Sequence, residues 1–240
     1  MERLQFEIAP QPDLASCGPT CLHAVYRFLG DKVSLSQVID EAHSLESGGT
    51  LDVFLAIHAL RRGYSARIYT YNLLVFDPTW FLAPGLDMAD KLRQQAAFKQ
   101  EPRLQVATAG YLRFLELGGE LRFRDLDPQL IRSYLGRGIP IITGLSSTYL
   151  YRSAREYGPH DDDDDIRGEP AGHFVVLSGY DRERRAVLIS DPLLPNPVAP
   201  SQQYVVGVER VMASILLGIL TYDANLLIIQ AKDRRRFNPA

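Results

Sequence analysis

Two cysteines, one tryptophan and no long apolar run are what this 240-residue sequence has least of. Cys17 and Cys21 are too few for a disulfide framework, and a structural zinc site would need two further ligands. Their CxxxC spacing is not the CxxC of a redox helix, so reduced thiols in a cytoplasmic setting are expected. The longest apolar stretch, Ile215 to Leu220, falls far short of the roughly 20 residues that span a bilayer, which argues against a membrane partner. The opening MERLQFEIAP has no apolar run of the kind a secretory leader carries. Charge of one sign is scarce as well. The net charge is −3, and the one basic cluster, Arg234-Arg235-Arg236, reads as a solvated tail, so nothing points to nucleic acid. No motif calls for a cofactor or a metal. The Asp161–Asp165 run lacks preset ligand geometry and reads as a solvated loop, or as an acidic lid that favours basic substrates.

The remaining composition, 46% hydrophobic and 23% charged, suits an ordinary globular core. Pro19 stands at an early helical position, Leu22, Val25, Tyr26 and Leu29 recur at helical spacing, and Gly30 fits the stop. Ser34 with Gln37 predicts a capping box for a second helix. After a Ser47-Gly48-Gly49 loop, Thr50 is expected to cap a third, ending at Gly63. Ser65 to Tyr71 reads as a strand. The segment from about 77 to 118 is expected to be a helical insertion with helices near Leu86–Phe98 and Val106–Leu117. Asp127-Pro128 opens another helix, and Ile139–Leu145 looks like a buried strand. From 153 to 172 an acidic loop is expected. Strands follow at His173–Tyr180, Ala186–Ser190 and Asn225–Gln230, with an apolar helix near Val208–Leu220 between the last two. Helices first and strands later predict an α+β fold in a single domain over 1–240.

The chemistry-bearing residues are few. Cys17 stands at a predicted helix start, where unpaired N–H groups and the dipole favour a thiolate. Gln11, six residues earlier, has a side-chain amide suited to an oxyanion. Cys21 lacks the helix-start position and reads as core packing. Of the five histidines, His23, His43 and His58 lie in the helical part and His160 abuts the acidic run. His173 differs, because it opens the apolar strand HFVVLSGY after Gly172, a residue that admits a close backbone approach. Asp191-Pro192 alone would be a turn or a cap. In a hairpin returning from His173, its carboxylate instead falls near the imidazole and can orient it.

Gln11…Cys17-Gly18-Pro19-Thr20, then Gly172-His173-Phe174-Val175-Val176-Leu177, then Asp191-Pro192, resembles the cysteine peptidase family thirty-nine. These are papain-fold peptidases best known as domains of bacteriocin-exporting transporters. The resemblance implies a papain-like fold with an N-terminal helical lobe, the nucleophile on a central helix, and a C-terminal antiparallel sheet lobe. It implies Cys17 as nucleophile, His173 as base and acid, Asp191 as orienter and Gln11 in the oxyanion hole. The chain looks closer to the free-standing bacterial branch, without a membrane domain or an ATPase. The expected activity is a thiol-dependent hydrolase, peptidase or amidase, acting on a peptide or protein substrate. A peptide-binding module of the same fold without turnover, or acyl transfer to an amine, are the alternatives.

Overall fold

The computed structural model describes residues 2–45 and 48–232. Ser47 and the Arg234–Arg236 cluster lie outside the described residues. The first half runs β1 (Glu2–Arg3), α1 (Cys17–Phe28), α2 (Leu35–Glu41), α3 (Asp52–Arg61), β2 (Tyr64–Thr70), a 3-10 turn at Pro78–Phe81, α4 (Met88–Phe98) and α5 (Pro102–Glu116). Then come β3 (Glu120–Arg122), α6 (Pro128–Leu135), β4 (Ile141–Ser146), α7 (Ser147–Tyr151) and the short strands β5 (Glu156–Tyr157) and β6 (Asp162–Asp163). The remainder is β7 (Gly172–Asp181), β8 (Ala186–Ser190), β9 (Gln203–Gly207), α8 (Val208–Leu217), a 3-10 turn at Gly218–Thr221 and β10 (Asn225–Ala231).

Seven strands follow the order β3-β2-β10-β4-β7-β8-β9, and β1 pairs with β7 to make an eight-stranded sheet. Among the described residues, only β2 and β3 pair in parallel. The α+β expectation holds, with one refinement: the sheet is not confined to the C-terminal half. β10 pairs with β2 along its whole length, from Asn225↔Thr70 to Ala231↔Tyr64, and so carries the sheet back to the helical half.

Strand alternation builds two cores. On one face of β7, Phe174 and Val176 pack with Leu22, Leu55 and Phe114 of α1, α3 and α5. On the other, Val175 and Leu177 pack with Leu130 and Ile131 of α6 and Val211 and Ile215 of α8. Helix α1 lies in the middle and is buried along Cys17–Tyr26. Its contact with the sheet is close. A Cβ at Gly18 would lie 2.6 Å from Thr50 Cγ2 and 3.3 Å from the Phe174 ring, so a side chain there would push the helix off β7.

Several local expectations change. Ser34 does accept from the Gln37 N–H at 3.2 Å, but the Gln37 side chain turns to Glu41, so only half of the capping box forms. Thr50 does not cap α3, because Leu51 holds the N-cap position; the Thr50 hydroxyl donates instead to the His43 carbonyl at 2.7 Å. Helix α5 begins at Pro102, and its Leu104, Ala107, Tyr111 and Phe114 enter the core, so this part of the 77–118 segment is built into the interior rather than laid over it. The acidic loop contains the β5–β6 hairpin, registered Glu156↔Asp163. Gly172 makes its close approach to Thr221, which a Cβ would meet at 2.6 Å; the space it provides is filled by the chain itself.

Candidate active site

The start of α1 and the ends of β7 and β8 meet at one edge of the sheet. β7 and β8 form the expected hairpin; Asp181 Oδ1 accepts the Glu183 and Arg184 N–H groups in the turn. Ser190 pairs with Val176, which brings the next residue, Asp191, back alongside His173. His173 Nε2 and Asp191 Oδ1 are 2.8 Å apart, and both residues are buried. With Nε2 so engaged, Nδ1 is the ring nitrogen left for Cys17, which lies against the imidazole. Cys21 Sγ, one turn further along α1, donates to the Phe174 carbonyl at 3.3 Å and ties the helix to β7.

The electrostatics act on His173 and on Cys21. Burial alone would lower the His173 pKa, but its interactions with Cys17 and with the Asp191 carboxylate outweigh it and push it up to about 10. Burial, with the charges of Cys17, Asp191 and Asp52, pushes the Cys21 thiol well above its ordinary value. Cys17 also sits where the first-turn N–H groups have no acceptor within the helix.

Asp191 is a fully buried carboxylate with a full set of donors. Oδ1 accepts from His173 and from the Leu193 N–H at 2.9 Å. Oδ2 accepts from Tyr151 Oη at 2.8 Å and Tyr204 Oη at 2.6 Å. Burial works against the charge, yet these bonds, His173 foremost, hold its pKa below the usual carboxylate value. Tyr151 and Tyr204 were not expected from the sequence. Tyr204 lies on β9, whose inward positions Tyr204 and Val206 alternate with the exposed Val205 and Gly207, and that alternation was the available signal. Tyr151 ends a helix of five residues, which gives no periodic signal.

Gln11 is brought to the same end of the molecule, since its backbone N–H donates to the Pro192 carbonyl at 2.9 Å. Its side-chain amide turns onto its own loop, Nε2 to the Asp13 carbonyl at 2.9 Å, which leaves one N–H of that amide for another acceptor. The other histidines stay apart from this cluster. His58 bridges Tyr26 and Glu41, His43 stands edge-on to Phe54, His23 is buried in α1, and His160 is exposed.

Residues 127–204, about a third of the chain, match the Peptidase_C39 like family. That segment holds His173, Asp191, Tyr151 and Tyr204. A C39-like peptidase from Bacillus anthracis superposes with a TM-score of 0.51 at 12% identity, over 97% of this chain and 98% of that one. The chain has the papain-like fold of the C39 peptidases. Two further structures are similar at lower TM-scores. One is a double glycine motif protease from an AMS/PCAT transporter, in complex with the leader peptide (0.46, 15% identity, 96% and 94% covered). The other is xylellain, a cysteine protease from Xylella fastidiosa (0.45, 18% identity, 97% and 85% covered). No curated protein matches. No helix among the described residues is long and apolar enough to cross a membrane.

Proposed function

We propose that the protein is a thiol hydrolase, a cysteine peptidase or amidase acting on peptide or protein substrates in the cytoplasm, with Cys17 as nucleophile. The observation that carries this reading is the buried line from Asp191 through the His173 ring to Cys17. Transfer of the Cys17 proton to His173 gives a thiolate beside an imidazolium. The thiolate attacks the carbonyl carbon, and the oxyanion that forms accepts from the Cys17 backbone N–H and the second N–H of the Gln11 amide. His173 Nδ1 gives its proton to the leaving nitrogen, the C–N bond breaks and an acyl-enzyme remains. The neutral imidazole then takes a proton from water, the hydroxide adds to the thioester, and loss of the acid restores the thiolate. Asp191 keeps the ring in place and offsets its charge throughout. Because the His173 pKa is raised, the imidazolium is present below about 10 and is lost above it, so the alkaline limb of activity is expected near that pH.

Iodoacetamide should label Cys17 faster than Cys21 near neutral pH; equal rates would count against an activated thiolate. Cys17→Ala and His173→Ala should each abolish hydrolysis of trapped substrates recovered from the native extract by the Cys17→Ala protein. Gln11→Ala should keep residual turnover, losing on the order of 10²–10³ in rate. Full turnover in Cys17→Ala would end the proposal.

A further inference from the structure

Two hydroxyls from separate parts of the chain meet on one buried oxygen, Asp191 Oδ2, and each is carried by an element tied to the site. Tyr204 lies on β9, whose pairing with β8 sets it opposite Ile189, two residues before Asp191. The Gln202 carbonyl accepts the Asp191 N–H at 2.8 Å, and the Gln202 side chain donates to the Asp191 carbonyl at 3.1 Å. The end of β8 and the start of β9 are thus joined at the carboxylate. Tyr151 comes from α7, which is fastened to the chain just before His173. The Ser147 N–H and hydroxyl both donate to the Ala171 carbonyl at 3.0 Å, and the Ala171 N–H donates to Thr148 Oγ1 at 2.9 Å. The Tyr151 ring stands 6.0 Å from the imidazole, tilted by 53°.

A carboxylate bonded through Oδ1 alone can turn about its Cβ–Cγ bond, a torsion with broad preferences. Such a turn would carry Oδ1 off His173 Nε2 and let the ring follow. Hydroxyls at 2.8 and 2.6 Å on Oδ2, from two different elements, oppose that turn. The other ring nitrogen, Nδ1, then stays on the side of Cys17. The same bonds keep negative charge on Asp191, which a protonated ring needs beside it. Phenylalanine would fill the same space at either position, so what the hydroxyls add is direction and charge. We propose that Tyr151 and Tyr204 are positioning residues for the reaction at Cys17: their hydroxyls lock the Asp191 carboxylate, and through it the His173 ring, in the orientation that takes the Cys17 proton. The proposal rests on the hydrolase reading above and extends it to two residues outside the set of Cys17, His173, Asp191 and Gln11.

Iodoacetamide alkylation of Cys17, followed by mass spectrometry across about pH 4–9, tests this without a substrate. The titratable groups facing Asp191 are His173 from β7, Tyr151 from α7, Tyr204 from β9 and Cys21 from α1, with Cys17 beyond the imidazole. In the Tyr151→Phe/Tyr204→Phe variant the rate at pH 7 should fall on the order of 10-fold. The acid limb of the profile should move upward, because Asp191 with fewer donors takes up a proton at higher pH and no longer supports the imidazolium. Added to Asp191→Ala, the two substitutions should change the rate no further. An unchanged rate and limb in the double tyrosine variant overturns the proposal, as does an equal fall in the Asp191→Ala background, which would mean loss of packing. Should the Asp191→Ala protein not fold, a fall in rate without movement of the limb overturns it; should the double tyrosine variant not fold, Tyr151→Phe alone carries the same readouts. Wild-type Cys17 labelled no faster than Cys21 at pH 7 takes down the hydrolase reading and this one together. Faster labelling that the tyrosine variants leave untouched takes down this one alone.

Discussion

Asp191 and Asp52 are the same side chain at the same 0% exposure, in opposite surroundings. Four donors converge on Asp191 and hold it anionic. Asp52 faces another carboxyl, that of Asp223, with the Asn225 amide as the donor beside it. Burial penalises the charge in both places, so what differs is the number of N–H and O–H groups that the fold aims at the oxygens. Depth in the core therefore says little about a carboxylate's role. Its donors decide whether it is held as a fixed anion or pushed toward its neutral form.

Removing Asp191 tests the comparison hardest. Asp191→Ala leaves an imidazolium and two tyrosine hydroxyls unpaired in the core. It should cost about 3–5 kcal/mol of stability in a urea midpoint measurement. Hydrolysis should fall on the order of 10³–10⁴ as the ring loses its orienting partner. A loss under 1 kcal/mol would mean that the donors around Asp191 are satisfied by something else.

At the other site the sign reverses. Asp52→Asn removes a buried carboxyl whose charge is disfavoured and adds an N–H₂ beside Asp223, whose Oδ1 lacks a partner among the described residues. It should stabilise by about 1–3 kcal/mol at pH 8. Destabilisation there would erase the contrast between the two carboxylates.

Little of this contrast could be read from the chain. The thiol, the imidazole and the carboxylate that meet at this site were legible because each is marked locally: a cysteine before Gly-Pro at a helix start, a histidine opening an apolar strand, an aspartate before proline at the end of the return strand. The hairpin brought the last two together by a register that a short polar turn fixes. The first-half helices were legible from periodicity. The cap of α3 was not, because the helix starts one residue later than a Thr50 cap implies, with Leu51 at its N-cap. Nor was the way Gln11 turns its amide onto Asp13, which depends on loop conformation. Asp52 and Asp223 come from opposite ends of the chain and meet only through the β2–β10 pairing, and no local pattern encodes that.

The tyrosines on Asp191 sharpen the comparison with smaller effects. Tyr204→Phe removes a buried hydroxyl bonded to the carboxylate at 2.6 Å and should cost about 1.5–3 kcal/mol at pH 7. Tyr151→Phe, at 2.8 Å and less buried, should cost about 1 kcal/mol. The pH dependence separates loss of these bonds from loss of packing. Asp191 has a folded pKa below its unfolded value, so its contribution is present above the unfolded value and disappears as pH falls through the folded one. Taking away a donor moves the folded pKa up toward the unfolded one. The variants should then be destabilised at pH 7 and approach the wild type as pH falls through the folded pKa of Asp191, below the usual carboxylate value. A penalty that stayed constant across that range would assign the hydroxyls to packing and leave His173 and the Leu193 N–H as the groups that keep Asp191 charged.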